Sequence, residues 1–204
     1  MIVRQTKRRA TTGLGLAGIE GRGTNGMAME EFRQNLWAPW RMEYIRTLAE
    51  ENKAGCFLCR YRDEGGQDAA NHVVWRTALS LVVMNRFPYT NGHLLVAPLA
   101  DKSDLIDLTD NEMNDLWRQT RDAKRLLERA LSPQGFNIGI NFGLCAGAGL
   151  PGHVHVHIVP RWTGDTNFMA VFGDIRVMPE SLDRTYESLL KAAAELGYPH
   201  PAGP

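Results

Sequence analysis

Charge of one sign is the first thing this chain lacks: 23 lysines and arginines stand against 23 aspartates and glutamates, a formal net charge of zero. A balanced chain sets up no whole-molecule field that would draw it to nucleic acid or to an anionic membrane surface, and neither is expected as a partner. Long apolar runs are missing too, since no stretch approaches the ~20 residues that a membrane-spanning helix needs. Cysteine is scarce, with three in 204 residues, two of them as Cys56-x-x-Cys59. That excludes a disulfide framework and points to a reducing compartment, the cytoplasm. No internal repeat is visible. Residues 1–29 lack sustained periodicity and the apolar segment of a secretory signal, while Lys7, Arg8, Arg9 and several glycines give them the signature of a flexible tail. Within them Ile19-Glu20-Gly21-Arg22 resembles a protease tag site, so Met27 or Met29 is a candidate start.

What remains has the size and composition of one soluble domain, residues 30–198, with a short tail at 199–204. Its pattern predicts an α+β fold. A helix interrupted near Pro39 is expected within 30–50. Strands are expected over 72–75, 80–85 and 93–97, the last two joined by the turn Pro88-Tyr89-Thr90-Asn91-Gly92. Thr109 and Glu112 have capping-box spacing. The helix they open is expected to bury Met113, Leu116, Trp117, Thr120, Ala123, Leu127 and Ala130 and to stop at Ser132-Pro133-Gln134-Gly135. Two further strands, 136–141 and 153–159, and a last helix over 179–196 ending at Gly197 complete an antiparallel sheet with one long helix packed on it.

The chemistry concentrates in His153-Val154-His155-Val156-His157, which holds half of the six histidines. Side chains alternate along a strand, so the three imidazoles are expected on one side with Val154, Val156 and Ile158 on the other. A glycine-dense segment, Gly143 to Gly152, leads into the row and suits close backbone approach to an anion. Three readings stand side by side: a zinc or copper site, a phosphate-ester site with one histidine as nucleophile, or a surface strand rich in histidine. The glycine approach and Pro160-Arg161 favour the anion, and the nearest carboxylate after the row is Asp165.

The string HVHVHIV resembles the signature of the histidine-triad (HIT) family of nucleotide hydrolases and transferases. Asn137-Ile138-Gly139-Ile140-Asn141-Phe142-Gly143 and Ala146-Gly147-Ala148-Gly149 resemble the strand and glycine loop before the triad. Asn85-Arg86-Phe87-Pro88 and Asn91-Gly92-His93-Leu94-Leu95-Val96-Ala97-Pro98 are similar to the family's nucleoside-side strands. Leu36-Trp37-Ala38-Pro39-Trp40-Arg41-Met42 and Arg161-Trp162 resemble the bacterial branch of diadenosine tetraphosphate phosphorylases or hydrolases.

The resemblance implies an enzyme that cleaves dinucleoside polyphosphates through a nucleotidyl-histidine intermediate, as a homodimer, without an organic cofactor. It selects His155 as nucleophile. His157 becomes a phosphate contact or orienting partner, and His153 a leaving-group donor or a ligand to structural metal. The amides of the loop, at Gly147, Ala148 and Gly149 and on to Gly152, would hold phosphate oxygens. Asn85 corresponds to a ribose contact, a turn-stabilising asparagine being the other reading, and Asn141 to a phosphate-side contact. Trp162 stacks on a base or packs in the core, and His93 is read as a packing histidine outside catalysis. Gly149 stands where many members carry glutamine, which is compatible with phosphate as acceptor instead of water. Some relatives hold zinc with a Cys-x-x-Cys, a histidine after the Gly-His strand, and the first triad histidine. Cys56, Cys59 and His153 match that set, and Asp101 replaces the remaining histidine. A Cys-Cys-Asp-His zinc and an unfilled relic both stay open. Two other functions remain in view: a nucleoside phosphoramidate hydrolase, and a non-catalytic, zinc-stabilised nucleotide-binding module.

Overall fold

The computed structural model describes residues 55–165 and 178–199. The expected flexible tail at 1–29, the helix within 30–50 with Trp37 and Trp40, and residues 200–204 lie outside them.

Five strands, β1 (Val73–Arg76), β2 (Ser80–Met84), β3 (Leu94–Pro98), β4 (Gly135–Gly139) and β5 (Val156–Arg161), form one sheet in the order β1-β2-β3-β5-β4 with every neighbouring pair antiparallel. Among the described residues three α-helices accompany it: α1 (Phe57–Asp63), α2 (Asp110–Leu131) and α3 (Leu182–Leu196). The α+β fold expected from the pattern is the one observed, with strand ends displaced by one to three residues. The short α1 has no counterpart in the sequence reading.

β2 and β3 are buried along their whole length. Covered on both faces, they read as continuous apolar runs without alternation. One face, with Val82, Met84, Leu94, Val96, Val156 and Ile158, packs on Leu116, Ala123, Leu126 and Leu127 of α2 and Leu189 and Ala193 of α3. The other face, with Val73, Leu81, Val83, Leu95 and Ala97, packs on Leu58 and Tyr61 of α1. These two layers set the site at one end of the sheet.

The capping box is present: Thr109 accepts from the Glu112 N–H while Glu112 reaches back to the Thr109 N–H. Ser132 ends α2 in the left-handed conformation before Pro133, and Gly197 does the same for α3. The buried stripe of α2 is Leu116, Gln119, Thr120, Ala123, Leu126 and Leu127. Trp117, expected in the core, is instead 46% exposed. Gln119 is buried in its stead, because its Oε1 accepts the indole N–H of Trp75 at 2.9 Å. At the other end of the molecule, Arg76 pairs with Asp68 and donates to the carbonyls of Tyr61 and Arg62, tying α1 to β1. That tie fixes the segment carrying the two cysteines.

Candidate active site

His155 and His157 face an open cleft of about 840 Å³, lined also by Phe57, Tyr61, Asn85, Arg86, Phe87, Tyr89, Leu95, Gly147, Gly149 and Leu150. β3 and β5 pair with Leu95 opposite His157, so His93 and His157 are diagonal neighbours on one face.

Each ring's protonation follows from its partners. His155 Nδ1 lies 2.8 Å from the His153 carbonyl oxygen, which can only accept. Nδ1 therefore carries the proton, and the lone pair is on Nε2, which makes no hydrogen bond among the described residues. Burial lowers the pKa of His155 and outweighs the opposing bond to the His153 carbonyl, with the charge of the His153 ring adding to the lowering, which favours the neutral ring. A neutral imidazole with an unengaged Nε2 lone pair is a nucleophile.

A second chain of bonds fixes His157. The Tyr89 N–H donates to His93 Nδ1 at 3.2 Å, and the Asn85 amide nitrogen lies 3.3 Å from the same atom. His93 thus holds its proton on Nε2 and gives it to His157 Nδ1 at 3.0 Å. His157 must then carry its own proton on Nε2, and that atom is buried with no partner among the described residues. An orphan buried donor costs about 1–3 kcal/mol and is retained where a ligand supplies the acceptor. Burial, and secondarily His155, pushes the His157 pKa down to about 4, so it donates as a neutral ring. Tyr89 stacks on His93 at 4.8 Å between centroids. His93 is fully buried, as a packing histidine should be, and it also sets the tautomer of His157.

His153 does not line the cleft. Its Nε2 donates to the Pro98 carbonyl at 2.8 Å, which leaves the Nδ1 lone pair directed at Cys56 Sγ (3.1 Å), Cys59 Sγ (3.5 Å) and Asp101 Oδ1 (3.6 Å). Both nitrogens are turned away from a leaving group. The ligand atoms of the four residues lie within 4.8 Å of one another. A tetrahedral zinc with bonds of about 2.0–2.3 Å has ligand–ligand edges of about 3.3–3.8 Å, close to the three distances from His153 Nδ1, and drawing in the wider separations would let the set close on one ion. The electrostatics agree. Burial alone would raise the Cys56 thiol, but bonding to His153 and Cys59 outweighs it and lowers the pKa. The Cys59 thiol is pushed up to about 12 by burial, by Cys56 and by Asp101. Groups that would be anions together crowd one point, and a divalent cation relieves that crowding.

The glycine loop contains a short 3-10 turn, Leu144–Ala146, flanked by Gly143 and Gly147 at positive φ. Two of its amides are used internally: Gly147 N–H donates to Leu144 O and Ala148 N–H to Gly143 O. Ala148 is buried and off the cleft. Among the described residues no such bond engages the N–H groups of Gly149 and Leu150, and both residues line the cleft. Asn85 Oδ1 closes a turn by accepting the Phe87 N–H at 2.9 Å, and the residue also lines the cleft. Asn141 and Trp162 are not among the lining residues; the Trp162 backbone N–H donates to Asp165 just beyond β5. Of the aromatic wall, Phe87 and Tyr89 lie on the expected turn, whereas Phe57 and Tyr61 were not foreseen because α1 was not. The signal for it was the apolar and aromatic spacing in Phe57-Leu58-x-x-Tyr61.

Comparison with known proteins matches the HIT domain profile to residues 67–164. A Mycobacterium tuberculosis protein named AP-4-A phosphorylase is 37% identical over 169 residues, covering 78% of this chain and 84% of its own length. The Schizosaccharomyces pombe bis(5'-nucleosyl)-tetraphosphatase (asymmetrical) is 41% identical over 95 residues, 47% of this chain and 52% of that protein. The crystal structure of a zinc-bound histidine triad family protein from Mycobacterium smegmatis has a TM-score of 0.53 at 26% identity, covering 71% of this chain and 96% of that one. With the triad running into β5, the glycine loop before it and a relative of this extent, the chain belongs to the histidine-triad (HIT) family.

Proposed function

We propose that this enzyme cleaves dinucleoside polyphosphates of the diadenosine tetraphosphate kind by way of a nucleotidyl-histidine, and that the acceptor is inorganic phosphate. The observation that carries the reading is the neutral His155 with its Nε2 lone pair open to the cleft beside the orphan Nε2–H of His157. In the first step Nε2 of His155 attacks the α-phosphorus. An N–P bond forms, the bridging P–O bond breaks, and its electron pair leaves on the polyphosphate. His157 Nε2–H and the amides of Gly149 and Leu150 serve the non-bridging oxygens. In the second step a phosphate oxygen displaces His155 and regenerates the free ring. A polyphosphate departs as a stable anion and needs no general acid, which suits a cleft from which His153 is withdrawn. The aromatic and apolar wall of Phe57, Tyr61, Phe87 and Leu95 suits a purine base, and Asn85 is the candidate ribose contact.

Phosphate as acceptor is supported by Gly149, which has no side chain to orient water, and by the name of the mycobacterial relative. Cys56, Cys59, Asp101 and His153 are the proposed ligands of a zinc; four protein ligands leave no open position, so it would be structural. A homodimer is supported by the edge position of β4, whose Ile138 is 41% exposed. A cytoplasmic location is supported by three free cysteines. No helix among the described residues is long and apolar enough to cross a membrane.

The test is incubation with diadenosine tetraphosphate with and without phosphate. ADP plus ATP, formed only with phosphate, is the expected result. AMP plus ATP would replace phosphate by water, and absence of turnover would defeat the reading.

A further inference from the structure

The cleft has to receive a polyanion, yet its lining holds little fixed positive charge. His155 turns a lone pair to the cleft and His157 a single N–H, and the loop contributes N–H groups only. Among the lining residues Arg86 alone carries a permanent cation. Several other basic residues of the domain are paired with carboxylates: Arg62 with Asp63, Arg76 with Asp68, Lys102 with Glu112 and Arg161 with Asp165. Arg86 has no such carboxylate among the described residues.

Its backbone is held on both sides. The Asn85 N–H donates to the His93 carbonyl at 2.9 Å, and Asn85 Oδ1 accepts the Phe87 N–H at 2.9 Å, so Arg86 rides at the centre of a closed turn. A guanidinium offers a planar fork of donors that matches phosphate oxygens two at a time. The α-phosphate has its own donors in His157 and the loop amides. The charge without a counterpart belongs to the phosphates beyond it.

We propose that Arg86 is the specificity-determining residue for the polyphosphate chain, binding the phosphates past the α position so that affinity climbs with each phosphate added. This deepens the reading given under Proposed function and rests on it for the seat of the α-phosphorus. A guanidinium that answers each added charge favours a tetraphosphate bridge over a nucleoside monophosphate derivative, because only the former reaches it.

The experiment is calorimetric titration of the full-length protein with AMP, ADP and ATP, for wild type, R86Q and R86K, at two salt concentrations. Wild type should bind ATP at least about tenfold more tightly than AMP, charge-assisted bonds being the strong class, and this preference should shrink with salt. R86Q should flatten the series, and R86K should restore part of it without the bidentate fork. Equal affinity of wild type for AMP and ATP would overturn the proposal. So would an R86Q loss equal for all three nucleotides, which would put Arg86 on the nucleoside or the α-phosphate, or an R86Q preference as steep as wild type. Turnover of diadenosine tetraphosphate is read in parallel. A graded series without turnover defeats the catalytic reading alone, and turnover with a flat series defeats this one alone.

Discussion

Lowering the pH from neutrality should destabilise the folded protein through His157, and the amount follows from its surroundings. Its pKa is pushed from the ordinary 6.5 down to about 4 by burial, with His155 adding to the effect. At about 1.4 kcal/mol per tenfold change in proton affinity that gap amounts to about 3 kcal/mol, or about 2 kcal/mol once the ring's partial contact with solvent is allowed for. The sign follows from the direction. The unfolded ring binds a proton near pH 6.5 and the folded ring near pH 4, so the stability is complete above about pH 6.5 and is lost as the pH falls towards about 4. The assay is urea denaturation of wild type and His157→Gln across that window, the difference between them isolating this one ring from other titrations. Wild type should lose about 2 kcal/mol more than the variant. Nitrogen NMR of the imidazoles supplies the second readout, with His157 as the Nε2–H tautomer at neutral pH. Titration of His157 near its ordinary value, or a proton found on Nδ1, would refute the chain of bonds from Tyr89 through His93.

His93→Phe removes the donor that fixes His157 and should lower kcat about 10- to 100-fold, the equivalent of one buried bond lost; activity within twofold would mean His93 only packs. Metal analysis should find one zinc per chain, lost in Cys59→Ser, and chelation should lower Tm by about 5 °C or more; a chelator without effect on Tm and no bound metal would favour the relic. Gly92→Ala should cost about 2–4 kcal/mol, since Gly92 has φ +76° and a Cβ there would lie 2.4 Å from Leu131 Cδ1. Unfolding at the wild-type midpoint would contradict that packing.

Much of the fold was legible because local signals agreed with tertiary ones. Thr109 and Glu112 cap α2, Gly197 ends α3, and the apolar runs of β2 and β3 locate the middle of the sheet. What failed depended on distant partners. Trp117 fits the helical period as well as Gln119 does, and only the indole of Trp75 across the core decides between them. α1 is seven residues long, too short for periodicity to announce, and its N-terminus is capped by the Cys56 sulfur, which accepts the Cys59 N–H. The alternation of the histidine row predicts three rings on one side of a strand. Strand pairing starts only at Val156, and the segment before it is turned by the Val154 N–H bonding to Lys102, so His153 meets the cysteines while His155 and His157 meet the cleft. Spacing alone held no trace of that division, nor of the proton chain through His93, whose members are 64 residues apart.

The most direct measurement is rapid alkaline quenching of the enzyme mixed with diadenosine tetraphosphate in the absence of phosphate, followed by intact-mass and peptide analysis. The account predicts an adenylyl group on the imidazole of His155, missing from His155→Ala and discharged as ADP when phosphate is added. An adenylyl group on another residue, or full turnover by His155→Ala, would contradict it.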